Sequence, residues 1–503
     1  MLIPFAEKKL RVPPGTISEL KIISKSIDSR KAPPQLIYRA AATLPDAFKN
    51  RFPEYREKDN SSPVPENVWR NCDSPIVIGT GPAGLFAGLY LAIAGAKPLI
   101  LDRGFPVPER DERYKKFLAD RVLDTESNLL IGEGGAGTFS DGKLYTGTRS
   151  PFSSMVINEF ISAGAPAEIG YLSRPHIGSD YLKRAIPELR KKIISLGGSF
   201  RFNCKVDGIL EKNGVCNGVI LADGEKITTS AGVILACGLG GRELIRKISA
   251  EGKIACALKS FQLGCRIEHP QEFIDLKQYK MSRPEALGAA EYHIVSRPKD
   301  APGVSSFCMC PGGRIVNATA WENSSVTNGV SDFARDGKFA NSCLISTINL
   351  PENFKVDDVY ALMEKIEREQ FIRGGSDYAF PCQNAEDFLR RRASAKTDFH
   401  ACETGIVPGR IDDLLPKESF AALAAALKHF DRIMPGFIRY GKFIGVESCV
   451  SSPVRILRNE NCESTLAKLF PAGEGPGLAG GIISAACDGM RCAESLVRSV
   501  NNG

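Results

Sequence analysis

No segment of this chain reaches about 18 uninterrupted apolar residues, so no membrane-spanning helix is expected. The opening MLIPFAEKKLRV lacks the basic stretch and long apolar core of a secretory leader. None of the fifteen cysteines stands in a C-x-x-C pair, which argues against a dithiol relay of that spacing. Their number is odd, their spacing is irregular, and many fall inside apolar runs. That pattern predicts reduced, mostly buried thiols in a cytoplasmic protein, not a disulfide scaffold. H-E-x-x-H, a Walker-type Gly-Lys-Ser/Thr and G-x-S-x-G are all absent, which removes the zinc-protease, P-loop and serine-hydrolase classes. No repeats and no low-complexity tracts occur.

What is present is an ordinary globular composition, 43% hydrophobic and 24% charged over 503 residues, enough for two to four domains. The net charge is +7, and residues 1–70 hold 13 Lys and Arg against 8 Asp and Glu. A basic front end can contact nucleic acid; a solvated basic surface is the simpler reading. Residues 1–65 read as a small α+β domain. In it, LRVPPGTISELKIISKSIDSRK predicts strand, turn and helix with Ser18 as N-cap, and QLIYRAAATL predicts a strand. The polar, Pro-rich EKDNSSPVPEN, Glu57 to Asn67, marks a linker. From Ser74 onward strands alternate with helices, the pattern of a parallel α/β sheet. Residues 256–440 read as an inserted α+β domain with helices at 357–372 and 416–430. The tail, from 441 to 503, returns to the first sheet. The expected fold class is α/β. A Rossmann-like domain of 74–255 and 441–503 carries an inserted substrate or cap domain, 256–440, and follows the small N-terminal unit.

The stretch SPIVIGTGPAGLFAGLYLAIAGAKPLILDRG, Ser74 to Gly104, organises that reading. The pattern G-x-G-x-x-G occurs three times, at Gly79/Gly81/Gly84, Gly132/Gly134/Gly137 and Gly475/Gly477/Gly480. Only the first has a buried strand before it, a small-residue helix after it, and a second strand ending in an acid, Asp102. Gly79 allows the tight turn, Gly81 lets a pyrophosphate approach the backbone, and Gly84 permits close helix–strand packing. The helix start offers free N–H groups and partial positive charge to the pyrophosphate, and Asp102 can accept both hydroxyls of an adenosine ribose.

The C-terminal LFPAGEG favours FAD over NAD. An apolar strand ends there in Gly473-Glu474, and Gly480-Gly481 opens a helix whose N–H groups can face a flavin pyrimidine and stabilise negative charge on it. VILACG adds an apolar strand ending near Ala236 and Gly238, a placement that commonly lies under the cofactor; Val206 is a further candidate cofactor contact. No second complete strand, Gly-rich turn, helix, strand and acid unit occurs. A dedicated NAD(P)H domain is therefore not expected, and NAD(P)H, if it donates electrons, visits the substrate cleft transiently.

In this order, these elements resemble the glutathione reductase-like flavoproteins with two dinucleotide-binding domains. KSIDSRK, GEGGAGTFSDGKLYTGT, RPHIGSDYL, FQLGCRIEHPQ, FCMCPGGRIV, GVESCVSSPVRILR and PAGEGPGLAGGIISAACDG together resemble the bacterial FAD-dependent, or NAD(FAD)-utilising, dehydrogenase family. The resemblance runs along nearly the whole chain. It implies that Gly79, Gly81, Pro82, Ala83, Gly84, Asp102 and Arg103 bind the ADP half of FAD. It implies that Gly135, Gly137, Thr138 and Ser140 line the pyrophosphate–flavin side. Gly473, Glu474, Gly480, Gly481 and Ile482 would hold the ribityl and pyrimidine ends. Asp102 stands where Glu is commoner, and Glu474 where Asp is usual.

Flavin carries its own redox chemistry, so the protein contributes orientation and proton transfer. His269 is a candidate proton donor, with a structural His before Pro270 as the plainer reading. Arg455 is a candidate anchor for an anionic substrate, with a structural ion pair as its alternative. Lys143 is a candidate hydrogen-bond donor to flavin N5. Cys308 and Cys310 read as a thiol relay, a soft metal site, or two small buried residues beside a Pro-Gly-Gly turn; no metal site is expected. The favoured function is an FAD-dependent oxidoreductase transferring hydride through flavin N5 to or from a small molecule. The alternatives are an NAD(P)H-dependent reductase of a quinone or other acceptor, and a flavin-containing RNA-binding or RNA-modifying protein using residues 1–65.

Overall fold

The computed structural model describes residues 2–48, 51–56, 63–70, 73–147, 149–299, 301–398 and 400–502. Most of the expected linker, and Cys72, lie outside them.

Five short strands form a parallel sheet in the order Leu469–Pro471, Val233–Leu235, Ile76–Ile78, Leu99–Leu101 and Ser199–Arg201. Four of these strands are apolar and almost wholly buried, as strands covered on both faces must be. Helices Pro82–Ile93, Gly178–Ser195 and Ile482–Asn502 pack together beside the sheet. The first and last of them touch backbone to backbone: a Cβ on Gly489 would lie 2.0 Å from the Ala83 carbonyl oxygen. The two ends of the chain are thus joined in one layer.

The second large unit is a seven-stranded sheet, ordered 295–296, 304–310, 339–348, 261–270, 442–447, 380–384 and 406–408. All its pairs are antiparallel except the last. Strand Lys442–Glu447 lies beyond the expected boundary at 440, yet it is fully buried inside this sheet. Helices Val356–Arg373 and Lys417–Ile433 cover the sheet at almost the expected positions. The chain enters and leaves this unit side by side, through the antiparallel pair Cys256–Leu258 and Val454–Ile456. A three-stranded antiparallel sheet, 206–212, 215–221 and 226–228, completes the larger elements.

The N-terminal unit differs from expectation. A helix spans Ile3–Leu10, and Glu19–Asp28 forms an antiparallel hairpin with Gln35–Thr43 in place of the expected helix. Ser18 caps no helix; its hydroxyl donates to the Thr43 carbonyl. The β-branched Ile22, Ile23 and Ile27 favour an extended chain, and pairing with the second strand settles the competition. No helix among the described residues is long and apolar enough to cross a membrane.

Candidate functional site

The motif at Gly79 makes the tight turn its spacing predicts. Gly79 has φ +100°, and a Cβ there would lie 2.3 Å from the Ala236 carbonyl oxygen. A Cβ on Gly84 would lie 1.9 Å from the Gly79 carbonyl oxygen, so the helix sits directly on the turn. Gly81 is different. Its φ is −66°, which any residue accepts, and the nearest atom to a Cβ would be the Gly135 Cα at 4.0 Å. Nothing among the described residues requires glycine there, and the side a Cβ would take is open. Pro82 and Ala83 start the helix, and no side chain caps it.

The GEGGAGTFSDG loop closes over this turn. The Gly134 N–H donates to the Thr80 carbonyl at 2.9 Å. A Cβ on Gly135 would come within 3.1 Å of the Gly81 Cα, and one on Gly137 within 3.5 Å of Pro82 Cγ and 3.6 Å of Ile482 Cγ1. Two helix N-termini, at Pro82 and Ile482, therefore converge on Gly135–Gly137. From the other end of the chain, a Cβ on Gly473 would meet the Ala83 Cβ at 2.9 Å, and the Gly473 N–H donates to Asp488 at 2.9 Å. Asp488 is held by Arg458 at 2.6 Å. Glu474 accepts from the Ser452 N–H at 2.8 Å, and burial raises its pKa. Gly480 and Gly481 remain exposed before the helix.

Ala236 and Gly238 follow strand Val233–Leu235, beside the central one; Ala236 N–H donates to the Ile78 carbonyl at 2.9 Å, and a Cβ on Gly238 would meet no described atom within 4 Å. Val206 is buried at the start of its strand, two residues after Cys204, whose N–H donates to the Asp102 carbonyl at 2.9 Å.

Several expected roles change. Asp102 does not point outward to receive a ribose. One oxygen accepts the Thr80 N–H at 2.9 Å and hydroxyl at 2.5 Å; the other accepts the Gly104 N–H at 2.8 Å. It is one methylene shorter than Glu, and it braces the turn from below. Arg103 is engaged by Glu126 at 2.7 Å and Glu243 at 3.6 Å, within a charged network that includes Lys205. Thr138 is fully buried and donates to the Glu133 carbonyl at 3.1 Å. Ser140 donates to the Gly137 carbonyl at 2.7 Å, so both hydroxyls serve the loop itself.

His269 is a correction. It has no exposed surface, lies among Phe273 and Phe437, and its Nε2 stands 2.8 Å from the Phe437 carbonyl oxygen. Burial pulls its pKa down to about 4, so the ring is uncharged at neutral pH, and its one N–H is spent on the Phe437 carbonyl. His269→Gln should lower the melting temperature and leave the flavin content of purified protein unchanged.

Its neighbour Glu268 is equally buried, accepts the Ala401 N–H at 3.0 Å, and leaves Oε2 without a partner. Burial raises its pKa to about 7, against the opposing effects of that hydrogen bond and Lys442. Between the ordinary carboxylate range and pH 7, the folded chain keeps a proton that the unfolded chain has released. Stability contributed by this group is therefore complete at low pH and lost as pH rises to 7. Glu268→Gln should abolish that loss, raising stability at pH 8 relative to wild type by up to about 3 kcal/mol, read by urea unfolding at pH 5 and pH 8.

Arg455 is exposed on an edge strand opposite Ala257, with the Gly477 turn packed on its backbone. Lys143 is tied down: Nζ donates to Asp141 at 2.7 Å and to the Met309 carbonyl. Asp141 is fully buried and also takes two bonds from Arg335, at 2.8 and 2.6 Å. Burial works against the charge on Lys143, but Asp141 outweighs it and holds the pKa above the ordinary lysine value.

Sequence reasoning missed two features. Arg110 is fully buried and donates to the carbonyls of Asn128 at 2.7 Å, Glu133 at 2.7 Å and Gly135 at 2.8 Å. Its Nη2 is buried with no partner among the described residues, and burial pulls its pKa down to about 9. The signal was present, since Arg110 occupies the apolar stripe Val107, Arg110, Tyr114, Phe117. The second is a cavity beyond Gly238, lined by Arg242, Trp321, Tyr360, Ser452 and Gly475. There Arg242 stacks 3.1 Å over Trp321 and pairs with Glu367 at 3.0 Å.

A dinucleotide fits these residues. The turn leaves space where Gly81 lacks a side chain, two uncapped or exposed helix starts face one loop, and a buried guanidinium keeps a donor unspent. Among the described residues no cluster of three or more His, Cys, Asp or Glu could hold a metal ion.

Comparison with known proteins agrees with this class. A family described as FAD-dependent protein, C-terminal domain-like, matches residues 260–449. An uncharacterised protein of Clostridium beijerinckii is 38% identical over 510 residues, covering 97% of this chain and 94% of the relative. The chain belongs to the same family as this relative, and its residues 260–449 carry the FAD-dependent C-terminal domain. Among solved structures, a geranylgeranyl bacteriochlorophyll reductase-like protein of Thermoplasma acidophilum is 15% identical, covering 86% of this chain and 79% of that one, with TM-score 0.38. The glycerol-3-phosphate dehydrogenase of Bacillus halodurans, complexed with FAD, is 10% identical, covering 86% and 66%, with TM-score 0.39.

Proposed function

We propose that this chain is an FAD-dependent oxidoreductase acting on a small molecule. The observation that supports it is the convergence of two helix N-termini on Gly135–Gly137 beside the open side of Gly81. Gly79, Gly81, Pro82, Ala83 and Gly84, with Gly135 and Gly137, would hold the diphosphate. Gly473, Glu474, Gly480, Gly481 and Ile482 would hold the flavin end, with Ala236, Gly238 and Val206 lining the rest. When bound, FAD supplies hydride transfer through N5. Arg110 positions the Gly-rich loop from beneath. Lys143, fixed by Asp141, would place a hydrogen-bond donor for flavin N5 at the end of that loop. Residues 256–440 with strand 442–447 would cap the site and exclude water from it.

The reading is tested by anaerobic addition of NADH and NADPH to the flavin-loaded protein. Bleaching by either identifies a nicotinamide donor. Failure with both, followed by bleaching with an organic substrate, identifies a dehydrogenase that takes its electrons from that substrate.

A further inference from the structure

The strand Val304–Cys310 pairs Phe307 with Cys343 and Cys310 with Asn341, so it holds one more residue than its partner across that interval. The extra residue makes a β-bulge. Cys308 sits in it with φ +43°, a backbone region that non-glycine residues rarely occupy. In a regular strand, residues two apart stand on one face about 7 Å from each other, too far for a sulfur–sulfur bond. The bulge breaks that regular spacing. The Cys310 thiol turns back along the chain, its Sγ 3.3 Å from the Cys308 carbonyl oxygen.

The two cysteines differ as an attacking and a resolving thiol must. Cys308 is partly exposed, whereas Cys310 has no exposed surface. The charged groups facing them come from several elements. Lys143, from the Gly-rich loop, and Arg266, from strand 261–270 two places along the sheet, act on both sulfurs, with Asp141 opposing. Arg335 pairs with Asp141, and Glu447 pairs with Arg266. The neighbouring Cys310 thiol and the two cations lower the Cys308 pKa, while the Cys308 sulfur and burial raise that of Cys310. Lys143 binds the Met309 carbonyl between them, and a Cβ on Gly329 would come within 2.9 Å of Cys310 Sγ. Glycine there leaves room for the buried sulfur.

We propose that Cys308 and Cys310 form a redox-active dithiol that reacts with low-molecular-weight disulfides. This does not depend on the flavin reading. The Cys308 thiolate bonds to one sulfur of R–S–S–R, and RS⁻ leaves. The Cys310 sulfur then attacks Cys308 Sγ, its proton passing to the second departing RS⁻. The protein dithiol is oxidised to an internal disulfide, and the small disulfide is reduced to two thiols, one released as RS⁻ and one as RSH.

The test uses the full chain, fully reduced, and glutathione disulfide as probe at pH 7. Trypsin releases residues 300–314 as one peptide carrying both cysteines and no others. Peptide mapping over time should show an internal disulfide in this peptide at least ~10-fold sooner than modification of any other cysteine. Cys310→Ser should trap glutathione on Cys308, and Cys308→Ser should leave Cys310 unmodified on the same timescale. The proposal is overturned if the wild-type peptide stays reduced while other cysteines react. It is also overturned if a folded Cys310→Ser chain accumulates no adduct at Cys308. The wild-type time course needs no variant to fold.

Discussion

Gly81→Val is expected to weaken FAD binding at least ~100-fold while changing the stability of the cofactor-free chain by no more than about 1 kcal/mol. The asymmetry follows from two observations. The Gly81 backbone, at φ −66° and ψ 179°, suits valine before a proline, and no protein atom lies closer than 4.0 Å to the new Cβ. Yet that Cβ occupies the side from which a diphosphate would reach the amides at the helix start. Losing two charge-assisted hydrogen bonds at ~1.5–3 kcal/mol each accounts for the expected factor. Gly84→Val is the control with the opposite balance. Its Cβ would lie 1.9 Å from the Gly79 carbonyl oxygen, so the cofactor-free chain itself should be destabilised. Titration of both cofactor-free variants with FAD, beside thermal melts, separates the two effects. Equal affinity in Gly81→Val and wild type would mean that no ligand approaches this turn.

Arg110→Met should destabilise the protein by ~3–5 kcal/mol, read as a lower urea midpoint. Replacing a buried ion pair by apolar residues is often harmless because both partners leave together. Here the partners are backbone carbonyls of Asn128, Glu133 and Gly135, which cannot leave. Methionine fills the volume and strands all three acceptors. The loop that meets Gly81 is built on these bonds, so FAD affinity should fall as well. An unchanged midpoint would show that the loop keeps its shape without the guanidinium.

The parts of the site legible in the sequence are those set by local spacing. Gly79, Gly81 and Gly84 act through neighbours along the chain, and their turn is as the motif implies. Asp102 was legible as an acid at the right place but not in its orientation. Whether it faces a ligand or Thr80 depends on a methylene's reach within the folded turn. His269 and Arg110 show the same gap from opposite sides. Depth of burial comes from which sheets and helices stack, and a single sequence does not state it. The hairpin at Glu19–Asp28 was misread because a strand's partner, fifteen or so residues on, outweighs its own helical spacing. The bulge at Cys308 depends on the register of strand 339–348, so C-x-C alone did not distinguish a reactive pair from two packed thiols.

The central claim is that both ends of the chain hold one FAD between them. Its most direct test is calorimetric titration of the cofactor-free protein with FAD, with a visible spectrum of the product. The account predicts one FAD per chain and a yellow protein. A chain that folds, stays colourless and gives no heat with excess FAD contradicts it.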